Sequence, residues 1–291
     1  MSQVTQEILK EMENRSINSE KELNKLKSEI SKRYKEKKFP KQIHLLLSAN
    51  KEQRKKFSKL LTSKPIRTSS GIAPLALFTA PISCPPQAQC IFCPGGPNSV
   101  FGNVPKSYTG NEPASRRAAR NKYDPYLQVF NRLEHYVLLN QNFDKVELII
   151  MGGTFPSLPK IYKEDFITYT YKALNDFSEL FFKNNELNFE KFKEFFELPA
   201  DLNDLKRTEN IHEKLLRLKD LQKTSLIQEQ KINENSKVRC VALVIETRPD
   251  CGKLEEGNEI LRFGGTRIEI GIQSVYDEDL IKEVTNFKAN N

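Results

Sequence analysis

Four nearly continuous apolar segments, separated by stretches of helical periodicity, are the feature that most constrains the fold of this chain. They lie at residues 71–81, 146–153, 238–247 and 267–275. A strand that is apolar along its whole length is typical of a parallel sheet, because helices cover both faces of such a sheet. The repeated strand–helix pattern therefore predicts an α/β fold, either an open doubly wound sheet or a (βα) barrel.

Helices are expected between these strands, at residues 112–141, after Pro159 and at about 253–263. The segment from about 175 to 236 is longer than one crossover helix requires, so we interpret it as a helical insertion with a break at Pro199. In folds of this kind the functional residues lie at the carboxyl ends of the strands. The residues that directly follow each apolar segment are therefore the first candidates for a site.

The N-terminal segment is strongly basic. Residues 1–67 contain 18 Lys and Arg against eight Glu, a net charge of +10, whereas the rest of the chain has a net charge of −2. Apolar residues at helical spacing predict helices over about 3–38, with a break near Asn18, and over about 41–62. We expect residues 1–65 to form a basic helical arm, which either binds a polyanion or is a solvated helical tail.

The composition argues against two classes of protein. No apolar run approaches the roughly 20 residues of a membrane helix, and the N-terminus lacks the apolar centre of a signal peptide. Five cysteines in a chain of this length do not indicate a disulfide scaffold. We therefore expect a cytoplasmic protein without membrane association.

Three cysteines, Cys84, Cys90 and Cys93, follow the first apolar segment with the spacing C-x5-C-x2-C. Three thiolates on one loop suit a 4Fe–4S cluster whose fourth iron stays open for the amino and carboxylate groups of S-adenosylmethionine. Electron transfer to the sulfonium would then release a 5′-deoxyadenosyl radical. The alternative is a zinc site, but zinc normally takes four ligands, and Cys240, Cys251 and the histidines form no second pair with zinc-like spacing. The spacing favours the iron–sulfur cluster, and we expect Cys240 and Cys251 to be packed or surface thiols.

Glycines and polar residues follow the other three apolar segments. Glycine lets the backbone approach a ligand closely, a carboxylate can accept hydrogen bonds from ribose hydroxyls, and arginine can pair with a ligand carboxylate. The alternative for Arg248 is a structural bridge to neighbouring loops. The candidates for cofactor binding are Gly152, Gly153, Thr154, Glu246, Arg248, Gln273 and Ser274.

Several ordered segments between about residue 64 and Asn286 resemble the catalytic subunit of the Elongator complex in its archaeal form. The combination of SYTG-x-EP-x-S-x-RA with MGGTF and IETRPD makes the resemblance specific. The matching segments are KPIRTSSGIAPLALFTAP, CPPQAQCIFCPGGPNS, SYTGNEPASRRAARNKYDPYLQV, DKVELIIMGGTFPSLP, KVRCVALVIETRPD and FGGTRIEIGIQSVYDEDLIKEVTN.

The resemblance implies that residues 66–291 form a partial radical S-adenosylmethionine (βα) barrel of about four of six strand–helix units. It implies a transferase of the acyltransferase class that modifies carbon 5 of the tRNA wobble uridine, with acetyl-CoA as co-substrate. By this analogy the three cysteines hold the 4Fe–4S cluster. Gly152 and Gly153 would contact the methionine end of S-adenosylmethionine, and Glu246 and Gln273 would face its ribose and adenine side.

The resemblance also implies partners. The basic arm would bind phosphates of the tRNA anticodon region through Lys35, Lys37, Lys38, Lys41, Arg54, Lys55 and Lys56. The C-terminal acetyltransferase domain of the family is not visible, so we expect a separately encoded C-terminal half that supplies the acetyl-CoA site, in an Elongator-like or homodimeric assembly. The alternatives are a truncated sequence and a non-catalytic, zinc-containing RNA-binding relative.

Overall fold

The computed structural model describes residues 3–36, 39–85, 90 and 92–276, and the chain divides into two compact units. The first, named the helical unit, consists of Met1–Ile72, Leu133–Phe143 and Asn188–Ile211. The second, named the sheet unit, consists of Ala73–Arg132, Asp144–Leu187 and His212–Asn291.

The secondary structure of the described residues alternates between helices and strands after an all-helical start. The helices are α1 (Gln3–Asn14), α2 (Glu20–Arg33), α3 (Gln42–Ser48), α4 (Lys51–Lys56), α5 (Ser58–Leu61), α6 (Pro113–Arg120), α7 (Pro125–Leu138), α8 (Lys160–Phe181), α9 (Phe189–Phe195), α10 (Leu205–Asp220), α11 (Leu226–Asn233) and α12 (Leu254–Arg262). The strands are β1 (Ala73–Phe78), β2 (Lys145–Met151), β3 (Phe182–Lys183), β4 (Glu186–Leu187), β5 (Arg239–Thr247) and β6 (Arg267–Ile270).

The helical unit begins with two amphipathic helices that bury the apolar residues identified by their spacing. Ile8 and Met12 of α1 are fully buried, as is Leu23 of α2. Ser19 forms a capping box with Glu22 at the start of α2, which explains the break near Asn18, since the box satisfies free N–H groups of a new helix. The second predicted helical stretch is divided into the short helices α3, α4 and α5.

The sheet unit contains a four-stranded parallel sheet in the order β1-β2-β5-β6. Leu75 of β1 pairs with Leu148 of β2, which pairs with Leu243 of β5, and all three are fully buried. A strand order that follows the chain lacks the reversal of a doubly wound sheet and is that of a partial (βα) barrel. The predicted α/β class with a four-stranded parallel sheet is confirmed.

Side chains hold the carboxyl ends of the first two strands. The amide of Gln128 in α7 accepts from the Phe78 N–H and donates to the Phe78 carbonyl, both at 2.9 Å, and so satisfies the last residue of the outer strand β1. The Thr79 hydroxyl donates to the Gly152 carbonyl at 2.7 Å. These bonds fix the turn after β1, where the cysteine loop begins, and the turn after β2, which contains Gly152 and Gly153.

The segment from 175 to 236 contains the end of α8, the two-residue strands β3 and β4, and helices α9, α10 and α11. The hairpin formed by β3 and β4 was not expected from the sequence. Pro199 lies between α9 and α10, where a break was predicted. No helix in the described part of the chain is long and apolar enough to cross a membrane.

Candidate functional site

A cavity of about 390 Å³ lies at the carboxyl ends of the parallel strands in the sheet unit. Eight of the ten residues that the sequence suggested for metal or cofactor binding line it. They are Cys84, Cys90, Cys93, Gly153, Thr154, Glu246, Arg248 and Gln273. Gly152 lies beside this set, with its carbonyl bonded to Thr79, and Ser274 follows Gln273 without lining the cavity.

Each of the three thiols has a different polar neighbour. Cys84 Sγ lies 3.4 Å from the Thr154 hydroxyl, and Cys93 Sγ accepts a hydrogen bond from the Ser107 N–H at 3.2 Å. Cys90 Sγ accepts from Nη1 of Arg248 at 2.7 Å. Each of these partners lines the cavity beside its sulfur, as outer-shell groups do beside metal ligands.

The thiols share the cavity without forming a closed ligand set. Among the described residues, no group of three or more His, Cys, Asp or Glu side chains is placed closely enough to hold a metal ion. The donor chemistry nevertheless fits a thiophilic group, because soft sulfur ligands select iron–sulfur clusters, zinc or copper. Gly153 also leaves space beside the sulfurs, since a Cβ at that position would lie 3.9 Å from Cys84 Sγ.

Arg248 joins the turn after β5 to the cysteine loop. Its Nε and Nη2 atoms donate to the Asp250 carboxylate at 3.0 and 3.1 Å, while Nη1 donates to Cys90. Burial lowers the pKa of Arg248, but the bonds to Asp250 and the nearby Cys90 sulfur outweigh it, so the pKa is raised overall. Arg248 thus connects two loops, which is the alternative role considered for it from the sequence.

The Cys90 thiol is partly buried in the cavity lining. Burial raises its pKa, and the Cys84 and Cys93 sulfurs add to this effect, whereas the Arg248 guanidinium opposes it. A thiolate ligand at this position depends on a nearby positive charge, because three sulfurs in one cavity repel each other once they are ionised.

Two of the residues that line the cavity, Glu246 and Glu269, are acidic. Glu246 accepts a hydrogen bond from the Tyr108 hydroxyl at 3.1 Å, and Tyr108 packs edge-on against Phe78 with ring centroids 4.6 Å apart. Burial raises the pKa of Glu246, and Glu269 raises it further, while the Tyr108 hydroxyl opposes the shift. These carboxylates at the ends of β5 and β6 can accept hydrogen bonds from hydroxyl groups of a ligand.

The loop over residues 94–112 supplies site residues that the sequence reasoning missed, namely Lys106, Ser107 and Tyr108. It is tightly folded at its start, because a Cβ at Gly95 would lie 1.8 Å from the Tyr108 carbonyl oxygen. The Lys106 carbonyl accepts from the Gly153 N–H at 3.2 Å. The sequence signal for Ser107 and Tyr108 was the SYTG segment that contains them. This segment contributed to the resemblance, but no role in the site was predicted for it.

The helical unit places the predicted RNA-binding residues in different settings. Lys55 and Lys56 are exposed and line a cavity of about 620 Å³, together with Lys59, which the sequence did not single out. Lys35 and Lys41 are exposed. Of the remaining three predicted residues, Arg54 is partly buried, and Lys37 and Lys38 lie outside the part of the chain that the structure describes.

Arg54 is directed into the helical unit. Its Nη1 atom donates to the Ala49 carbonyl at 2.6 Å, and its guanidinium lies 4.2 Å from the centre of the Phe189 ring. Burial lowers its pKa, while Glu190 opposes the shift. The guanidinium is thus engaged by the protein itself.

Comparison with known proteins gives consistent matches. Residues 1–69 match the family described as the ELP3 N-terminal domain. The tRNA uridine(34) acetyltransferase of Methanocaldococcus infernus is 37% identical over 278 residues, which are 95% of this chain and 44% of that protein. Its counterpart in Methanocaldococcus jannaschii is 39% identical, over 83% of this chain and 36% of that protein.

Elongator complex protein 3 of Saccharomyces cerevisiae is 37% identical, over 88% of this chain and 39% of that protein. A solved structure of the Methanocaldococcus infernus Elp3 with residues 1–46 deleted aligns with a TM-score of 0.44 and 29% identity, over 72% of this chain and 31% of that one. The chain spans less than half the length of these relatives. It belongs to the family of the tRNA uridine(34) acetyltransferases and Elongator complex protein 3.

Proposed function

We propose that the sheet unit is the radical S-adenosylmethionine part of a tRNA-modifying enzyme of the acyltransferase class, which acts on carbon 5 of the wobble uridine with acetyl-CoA as co-substrate. The names of the relatives support the class of reaction. The observation that carries the proposal is one cavity, at the carboxyl ends of the parallel strands, lined by all three clustered cysteines and by Glu246 and Gln273.

The residues of the cavity fit the proposed cofactors. When bound, a 4Fe–4S cluster supplies the electron that cleaves S-adenosylmethionine to a 5′-deoxyadenosyl radical. Cys84, Cys90 and Cys93 would hold this cluster as thiolates. The hydrogen bonds from Arg248 to Cys90 and from the Ser107 N–H to Cys93 would orient two of the sulfurs and stabilise their negative charge.

The cavity also offers separate surfaces for the two ends of S-adenosylmethionine. Gly153 carries no side chain and would leave room for the methionine end beside Thr154, whereas the corresponding space at Gly152 is filled by Thr79, Pro105 and Phe78. Glu246 would accept from ribose hydroxyls, and Gln273 with Ser274 would lie toward the adenine. The Tyr108 hydroxyl keeps the Glu246 carboxylate in place through their hydrogen bond.

The helical unit would bind the tRNA anticodon region through its exposed lysines. Lys35, Lys41, Lys55 and Lys56 are available for phosphates, and a net charge of +10 over residues 1–67 attracts a polyanion over some distance. Lys37 and Lys38 remain predictions. So do the separately encoded C-terminal half, the Elongator-like or homodimeric assembly and the cytoplasmic location.

Reconstitution with iron and sulfide under anaerobic conditions tests the cluster. We expect about four irons per chain and a broad visible absorbance that dithionite bleaches, as for a protein-bound cubane. Cys90→Ser should lose most of this iron. The matched control is Cys240→Ser, because Cys240 lies at the amino end of β5 and is absent from the cavity lining.

The opposite result is equally specific. A colourless protein that carries one zinc would overturn the radical mechanism and favour the zinc-containing RNA-binding relative. An unchanged iron content in Cys90→Ser would remove the three cysteines as the ligand set.

A further inference from the structure

Lys106 is a basic residue of the cavity lining that the proposed function has not used. It lines the cavity with the three thiols, and its ammonium group has no hydrogen-bond or ion-pair partner among the described residues. Its backbone is fixed, because its carbonyl accepts from the Gly153 N–H at 3.2 Å. Its stem rests on Gly96, where a Cβ would lie 2.7 Å from Cε and 3.0 Å from Nζ of Lys106.

Arg248, the other cation of the cavity wall, is already engaged. Its guanidinium donates through Nε and Nη2 to Asp250 and through Nη1 to Cys90. A ligand carboxylate bound to Arg248 would therefore compete with one of these two partners. No described residue competes in this way for Lys106.

The charges around the cavity are unevenly distributed. Lys106 and Cys84 both flank Gly153, and Arg248 donates to Cys90, whereas Glu246 and Glu269 belong to the last residues of β5 and β6. A ligand that matches this distribution has a carboxylate at one end and hydroxyl groups with a positive centre toward the other. The methionine carboxylate, ribose hydroxyls and sulfonium of S-adenosylmethionine have this arrangement.

We propose that Lys106 binds the carboxylate of the methionine moiety of S-adenosylmethionine, an assignment that rests on the proposed function of the cavity. Lys106 is then a ligand-binding residue, and Arg248 is a positioning residue for Cys90. Glycine at position 96 leaves room for the Lys106 side chain, which a Cβ at that position would displace.

The test compares two ligands that differ only in this carboxylate, S-adenosylmethionine and decarboxylated S-adenosylmethionine, on the anaerobically reconstituted full chain by equilibrium dialysis. Lys106→Met keeps the length of the side chain and removes its charge. We expect it to weaken binding of S-adenosylmethionine about tenfold or more, the usual scale for a lost charge-assisted hydrogen bond. Binding of the decarboxylated ligand should change by less than about twofold, so that the ratio of the two dissociation constants isolates the carboxylate contact.

Two further variants define the result. Lys106→Arg should retain most of the preference for the carboxylated ligand, because it keeps the charge. Lys145→Met removes an exposed lysine at the amino end of β2, away from the strand ends that line the cavity, and should leave both affinities unchanged.

Several outcomes overturn the assignment. Equal weakening of both ligands by Lys106→Met would show a structural role, and unchanged binding of both ligands would show that another group binds the carboxylate. Weaker RNA binding with unchanged S-adenosylmethionine binding would assign Lys106 to a phosphate instead. Failure of the iron-loaded wild-type chain to bind S-adenosylmethionine would overturn the proposed function itself, whatever the variants show.

Discussion

The exposed lysines of the helical unit and Arg248 of the sheet unit are charged residues in opposite settings. In the helical unit, Lys55 and Lys56 are exposed on a surface with an excess of positive charge. In the sheet unit, Arg248 is mostly buried and is held by three hydrogen bonds to Asp250 and Cys90. Exposed charges act together and are screened by salt, whereas a buried, bonded charge acts on a defined partner.

This difference predicts how each unit responds to substitution. A single change at a bonded charge of the sheet unit leaves its partners without a counter-charge in a partly desolvated cavity, which is costly. A single change among the exposed lysines removes one of many similar contributions. Substitution of the exposed lysines should therefore act gradually and in a salt-dependent way, and substitution of Arg248 abruptly and with little dependence on salt.

The largest expected effect is that of Arg248→Met on iron loading. The substitution leaves the Cys90 thiolate without its donor at 2.7 Å and frees Asp250. Loss of an outer-shell partner typically lowers metal affinity about 10- to 100-fold, and we expect a change in this range. It is measured as the chelator concentration that removes half of the iron from the reconstituted chain.

Two variants sharpen this prediction. Arg248→Lys keeps the charge but cannot bridge Asp250 and Cys90 as the planar guanidinium does, so it should give an intermediate loss. Arg262→Met breaks an exposed ion pair with Glu164 on the same unit and should leave iron loading unchanged. Equal iron retention in Arg248→Met and the wild type would break the contrast between the two units.

The sheet and the strand-end residues were predictable from the sequence because their signals are local. An apolar run bounded by polar residues identifies a strand and its end, and Glu246 and Gln273 follow from that alone, although β6 is largely exposed rather than buried as expected. Lys106 and Tyr108 come from a loop between β1 and α6, where no periodicity indicates which side chains turn inward. Their positions depend on the close packing of Gly95 against the Tyr108 carbonyl, which is a tertiary contact.

The helical unit shows the same limit. Arg54 and Lys55 are adjacent in α4, and charge counting treats them alike. The structure separates them, because adjacent residues of a helix point about 100° apart, so that Arg54 is directed toward Ala49 and Phe189 while Lys55 remains exposed. Phe189 is 135 positions further along the chain, so the sequence around Arg54 contains no sign of this contact.

The second prediction concerns the exposed lysines. Replacing both Lys55 and Lys56 by Gln should weaken tRNA binding at low salt and lower the slope of log affinity against log salt by about 2, because each phosphate contact contributes about 1 to that slope. Filter binding at several salt concentrations measures both quantities. Replacing Lys145 and Lys160, two exposed lysines of the sheet unit, by Gln is the charge-matched control. The same loss of affinity in both double variants would show that net charge, rather than the position of the lysines, determines binding.

The smallest expected effect is that of Arg54→Met, which separates an internal charge from an RNA contact within one helix. The variant loses the hydrogen bond to the Ala49 carbonyl and the contact with the Phe189 ring, whereas the ion pair with Glu190 at 3.9 Å contributes little because Glu190 is exposed. We expect the free energy of unfolding to fall by about 1–2 kcal/mol, from urea denaturation, with tRNA affinity at moderate salt changed by less than about twofold. Lys55→Met is the matched neighbour and should show the reverse, a stability within about 0.5 kcal/mol of the wild type and a measurable loss of RNA affinity. The opposite result would be that Arg54→Met weakens RNA binding as much as Lys55→Met and leaves the free energy of unfolding unchanged. In that case the guanidinium contacts the RNA in the complex, and its internal contacts contribute little to stability.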